Sequence, residues 1–187
     1  MSESFEYYLL EHCSPTFAGI KCASMVNIPC SDLSDVVSEI DMANAEFQAK
    51  KLAFKILRVK NGRVLVYVYR PGKLAEKFRD IDTQRFLARY GYDAASCDIN
   101  SLLNRLIVRM NVQNEFPHEI GIFLDYPLCD VIGFIENSGE NHRATGQWKV
   151  YGNIEEACKR FCMLKKCRNV YRRCHSRGKT LYDLTVG

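Results

Sequence analysis

Residues whose types and spacing could do chemistry fall in three places. At the first, His12 and Cys13 stand side by side with Lys21 a short way on. A thiolate nucleophile needs a neighbouring cation or a helix N-terminus, and a base to take its proton. His12, Lys21 or a folded-in His118 can fill those roles, which makes Cys13 the candidate nucleophile of a thiol-dependent enzyme. No cysteine-hydrolase signature surrounds it, and a turn packed by small residues with His12 bonded to backbone is the plainer reading.

At the second place, His118 and Glu119 pair an imidazole that titrates near neutrality with a carboxylate that can orient it. Adjacent residues on a helix point about 100° apart, so the pair reads first as a helix cap. The third is the set Cys158, Cys162, Cys167, Cys174 and His175. Cys158 and Cys162 are i,i+4 and share a helix face, but from Cys158 an unbroken helix rotates Cys167 by about 180° and Cys174 by about 160°. Iron or another transition metal could be held only if the helix breaks near Lys165 and Lys166 or a second chain contributes; otherwise the thiols are small hydrophobes. Tyr67, Tyr69, Arg70, Trp148 and Lys149 offer stacking faces and cations that could clamp a planar or phosphorylated ligand, or serve as strand residues at a sheet end. Gly72, Gly139 and Gly152 form no phosphate-cradling pattern.

These residues must be positioned by a chain of 187 residues, 47% hydrophobic and 26% charged, the size of one domain with a real core. No run approaches the roughly 18 apolar residues of a membrane span, and the N-terminus lacks a secretory signal, so a cytoplasmic chain is expected. Nine cysteines without a repeating spacing then read as reduced thiols. From Asn141 onward 11 Lys and Arg face three acids, a tail of +8 on a body of −4. Such a tail can attract an anionic partner, including nucleic acid, or dock on the acidic body.

The expected class is α+β, a single domain with a small sheet packed by several helices. Phe5 to Glu11 reads as a short helix, followed by a turn at His12 and a buried strand or short helix through Val26. Ser31 to Asp35 caps a helix through about Leu52. Phe54 to Val59 and Val64 to Tyr69 flank Asn61-Gly62, a hairpin signal, and the apolar character of both faces of the second strand places it inside the sheet. Lys73 to Tyr90 is helical with a break near Asp80, and Ser101 to Val112 is helical up to a break at Asn114 to Pro117. A helical hairpin is expected at 117–136 with Asp125-Tyr-Pro127 as its turn. Gly121, Asp125, Val131 and Phe134 have helix-turn-helix spacing, but the second helix offers two acids and no base, which argues against DNA reading. Gln147 to Tyr151 alternates as a strand, and a basic helix runs over 154–175 before a short tail.

Several segments together, His12-Cys-Ser-Pro-Thr-Phe-Ala-Gly-Ile-Lys21, Val66 to Pro71, Glu115-Phe-Pro-His-Glu-Ile-Gly121, Trp148-Lys-Val-Tyr-Gly152 and Lys166-Cys167, resemble an uncharacterised family of small cytoplasmic proteins from anaerobic Firmicutes, known as a domain of unknown function. The resemblance spans nearly the whole chain and implies a link to iron or redox homeostasis, with no catalytic residues to carry over. Asp125 departs from it by standing where the family tends to have Gly, and Ala144 by standing where a Cys often precedes the strand. The reading that results is an accessory protein binding a metal, a cofactor, a small anionic ligand or a protein partner, with the thiol enzyme and the nucleic-acid regulator as alternatives.

Overall fold

The computed structural model describes residues 1–96, 98–112 and 116–187. The expected break at Asn114 to Pro117 lies in part outside them. Helix α1 (Glu3–Phe17) precedes strand β1 (Ala23–Pro29), α2 (Leu33–Phe47), and the hairpin β2 (Ala53–Lys60) and β3 (Arg63–Tyr69). Next come α3 (Pro71–Phe78), α4 (Ile81–Ala88), α5 (Ile99–Val112), α6 (Ile120–Phe123) and α7 (Leu128–Glu136). The ribbon β4 (Ala144–Thr145) and β5 (Lys149–Val150), the long helix α8 (Ile154–His175) and a last turn α9 (Leu181–Leu184) complete the order. The mixture is α+β, as expected.

The main sheet has the order β1-β3-β2 and is antiparallel throughout. Its centre is β3, whose Val64, Val66 and Val68 face one helical layer and whose Leu65, Tyr67 and Tyr69 face another. The first layer is α1, α2 and α8 around Leu9, Phe17 and Phe47; the second is α3 to α7 around Leu74, Phe78, Leu103, Leu106 and Phe123. All three valines are fully buried, and burial of each contributes on the order of 1.5–3 kcal/mol. Asn61 and Gly62 both have positive φ, 52° and 67°, the conformation a two-residue hairpin turn demands.

Capping agrees with the sequence. Asp32 Oδ1 accepts from Ser34 N at 2.8 Å at the start of α2, Asp98 Oδ1 from Asn100 N at 3.1 Å at α5, and Asn153 from Glu155 N and Glu156 N at α8. Asp80 caps α4 and so makes the break expected between two helices.

Four expectations are corrected. The turn at His12 is helix: α1 runs on through Pro15 to Phe17. Pro15 sits in the last turn, where its missing N–H removes the ladder bond to the Glu11 carbonyl, and next to it the Ser14 hydroxyl donates to the Leu10 carbonyl. Burial of Cys13, Ser14, Pro15, Thr16 and Phe17 outweighs that loss. The strand Gln147 to Tyr151 contracts to Lys149–Val150, because among the described residues it pairs with the two-residue β4 alone. The first arm of the 117–136 hairpin is shorter than its apolar pattern, only Ile120–Phe123. The tail holds α9, closed by a capping box between Thr180 and Asp183.

Candidate functional site

Lined by α6, α7, the edge of β1 and the β4–β5 ribbon, a cleft of about 340 Å³ opens beside the second core. That is within the size range of small-molecule sites. Phe116, Tyr126, Phe134 and Trp148 supply aromatic walls, with His118 and Lys149 as the polar groups. Tyr126 and Trp148 stack at 4.9 Å between centroids, the His118 ring lies 4.9 Å from that of Phe134, and Lys149 Nζ is 5.9 Å above the Phe134 ring.

The walls are fixed by one buried carboxylate and three glycines. Asp130 on α7 accepts from Trp148 Nε1 at 2.7 Å, Tyr151 N at 2.8 Å and Gly152 N at 2.8 Å, which knits the ribbon to the helix and leaves Asp130 little capacity for a ligand. A Cβ at Gly133 would overlap Tyr151, one at Gly146 would overlap Phe161, and one at Gly121 would lie 2.7 Å from Val131. The helix-turn-helix spacing is therefore a packing pattern, with Gly121 making room for Val131. Asp125 turns α6 into α7 at φ 65°, a conformation that favours Gly. Its carboxylate offsets that cost by accepting from Arg160 Nη2 at 2.6 Å, Cys22 N at 3.2 Å and Lys77 Nζ at 3.3 Å.

The sequence candidates divide sharply. His118, Trp148 and Lys149 line the cleft. Glu119 does not: it is buried, pairs with Arg109, and accepts from the Tyr92 hydroxyl at 3.0 Å, so it neither caps α6 nor orients His118. Arg70 donates to the carbonyls of Thr16, Phe17, Lys50 and Val186 at 2.8–3.1 Å, and Tyr69 stacks on the fully buried Tyr67 in the core.

Cys13 is 0% exposed, and burial pushes its thiol up to about 12, the reverse of an activated thiolate. His12 beside it is exposed, its pKa lowered by partial burial and by Arg168. Neither lines the cleft that His118 lines. Lys21 is 7% exposed with its Nζ 5.2 Å from the Tyr126 ring centroid, and that ammonium makes no hydrogen bond or ion pair with a described residue. Burial lowers its pKa to about 8, against the opposing pull of Asp125.

On α8 the helix is unbroken, so the rotation between its cysteines stands. Cys158 and Cys162 are exposed, Cys167 is buried and Cys174 half-buried, while His175 lies 3.6 Å from Glu6. Among the described residues no three of His, Cys, Asp or Glu stand together where an ion could be held, and the eight described cysteines are free thiols. Part of the basic tail docks on the body through Arg160 to Asp125 and Arg172 Nε to Glu11 Oε1, both at 2.6 Å.

A model of DUF3793, a protein family of unknown function, matches residues 9–185. The chain belongs to this family. No curated protein and no solved structure matches it. The DUF3793 match thus takes in the sheet, both helical layers and the whole cleft. No helix in the described residues is long and apolar enough to cross a membrane. Sequence reasoning missed Phe116, Tyr126, Phe134 and Asp130 as cleft residues. The available signal was the set Gly121, Gly133 and Gly146, which marks where backbone must approach a bulky neighbour.

Proposed function

We propose that this protein is a binding protein, and that its ligand is a planar aromatic anion held in the cleft between α6, α7 and the β4–β5 ribbon. Of the ligands the sequence raised, namely metal, cofactor, small anion or protein partner, the cleft favours an organic small molecule. One observation carries the reading: an aromatic cleft whose one buried carboxylate is already taken by three N–H donors, leaving His118 and the donors of Lys149 not spent on the Gly139 carbonyl to face a ligand. The aromatic wall formed by Phe134 and the exposed parts of Tyr126 and Trp148 receives a ring, and a cation at the rim recognises its negative group. Among the described residues no cysteine or serine lines the cleft, and neither His118 nor Lys149 is paired with a carboxylate, which favours binding over turnover.

Trp148 is the one tryptophan of the chain, so intrinsic fluorescence reports on the cleft directly. Titration with anilinonaphthalene sulfonate, an aromatic anion, and with neutral N-phenyl-1-naphthylamine should each quench Trp148 saturably, the anion binding more tightly. Absence of saturable quenching with both probes overturns the proposal.

A further inference from the structure

Beside the aromatic cleft lies a second depression of about 450 Å³ at the hairpin end of the sheet, and the two share Met25 and Phe116 in their walls. Its cations are Arg58, Lys60 and Arg63, and among the described residues no carboxylate lines it. The register explains how three cations reach one face. Arg63 pairs with Lys60 across the hairpin and Leu65 pairs with Arg58, so all three cations share the face of Leu65, Tyr67 and Met25. Strict alternation from Phe54 and Ile56 would send Arg58 to the opposite face. A β-bulge between Ile56 and Arg58 inserts Leu57 and re-aims Arg58. Asn111 Nδ2 on α5 donates to the carbonyl of Leu57 at 3.1 Å, and Leu57 itself is buried in the core, which holds the bulge in place.

Arg63 spends one donor on the Asn27 carbonyl at 2.6 Å; the side chains of Arg58 and Lys60 make no hydrogen bond or ion pair with a described residue. Measured along the strands at about 3.3 Å per residue, Arg58 is one row of roughly 7 Å past Met25, and Lys60 with Arg63 one row further, while β3 separates β2 from β1 by about 10 Å sideways. A basic strip with no counter-charge among the described residues, starting where the aromatic walls end, is the complement of a ligand with a ring at one end and several negative oxygens at the other.

We propose that the strip of Arg58, Lys60 and Arg63 binds a phosphate or diphosphate group of the same molecule whose ring enters the cleft, so that the ligand is of nucleotide type. This rests on the cleft being a binding site. It differs from a phosphate loop: the recognition is by side chains on strands and not by backbone N–H groups at a helix start.

The test uses the full chain and four ligands: N-phenyl-1-naphthylamine, adenosine, ADP and a short single-stranded oligonucleotide. ADP should bind at least about tenfold more tightly than adenosine, the scale of one or two charge-assisted hydrogen bonds. The double substitution Arg58→Gln with Lys60→Gln should bring ADP down to the affinity of adenosine and leave the naphthylamine unchanged. Arg63 is left intact because it also holds Asn27. If the naphthylamine binds but ADP gains nothing over adenosine, or keeps its gain in the double variant, the strip is not a phosphate site and the cleft reading survives. If neither the naphthylamine nor adenosine binds, the cleft reading fails and the strip proposal falls with it. An oligonucleotide that outcompetes ADP through the same two residues would make the partner a polymer and overturn the small-ligand assignment.

Discussion

Around Arg70 a buried guanidinium spends its donors on four carbonyls, and nearby Cys13 is sealed in apolar surroundings. Around Trp148 a buried carboxylate is spent just as fully on three N–H groups, yet the wall it builds leaves His118 and Lys149 at an open, apolar cleft. Both regions hold ionisable groups in low-dielectric surroundings, and in both the most buried one is structural. The difference lies in what remains. On the α1 side the fixed groups close the structure, while on the α6–α7 side they hold apart surfaces that stay unfilled. Reactive residue types thus point to function only where the fold leaves room beside them.

The largest expected effect tests the closed region. Arg70→Met strips donors from the carbonyls of Thr16, Phe17, Lys50 and Val186 and should cost about 3 kcal/mol or more, read by urea unfolding. Probe binding to the cleft should persist under conditions where the variant is still folded. Weakened binding at unchanged stability would mean that the two regions are one site.

Next in size is Lys21, whose folded pKa of about 8 lies below its ordinary 10.5. Between those values the unfolded chain holds the extra proton, so this group makes stability rise with pH across that window. Below pH 8 the charged, buried ammonium costs roughly 3 kcal/mol. Lys21→Met should therefore be more stable than the parent at neutral pH, with the advantage shrinking through pH 8 to 10.5. Cys13 and Cys22, both pushed up to about 12, act with the opposite sign above their ordinary 9.0, and because Lys21 pulls both thiols down they cancel only in part between variant and parent, so the comparison is cleanest below pH 9. An advantage that does not change with pH would show that Lys21 is not held as a charge against burial.

A smaller effect probes how the cleft wall is made. Asp130→Asn keeps one accepting oxygen for Tyr151 N and Gly152 N but loses the charge and sets an NH2 donor against Trp148 Nε1, for an expected cost of about 1.5–3 kcal/mol. It should also loosen Trp148, seen as a red-shifted emission, and weaken both naphthalene probes. Lost stability with unshifted emission would separate Asp130 from the wall.

Much of this arrangement was legible in the residues. The hairpin at Asn61-Gly62, the cap within Ser31 to Asp35 and the central position of β3 follow from local turn chemistry and the period-two pattern of Val64 to Tyr69. The helix through Pro15 was not legible, because proline normally marks an end and only the tertiary burial of Cys13 to Phe17 overrides it. The site was half legible. Trp148, Lys149 and His118 were singled out by type, but Arg70 and Lys21 share those types and are buried. The bulge at Leu57 leaves no signature in one sequence, so the alignment of Arg58 with Arg63 depends on pairing that only the fold reveals.

The smallest effect on stability should come with the clearest effect on binding. Lys149 Nζ donates to the Gly139 carbonyl at 2.6 Å and lies over Phe134, but its side chain is only half-buried, so Lys149→Gln should change unfolding by no more than about 1 kcal/mol. If its charge is what the cleft offers an anion, anilinonaphthalene sulfonate should weaken by roughly three- to tenfold while N-phenyl-1-naphthylamine holds, and the difference should shrink in high salt as screening replaces the lost charge. Equal losses for both probes would instead make Lys149 a brace for the Gly139 turn and the Phe134 ring. In that case the open region would resemble the closed one after all, with its last cation also spent on the fold.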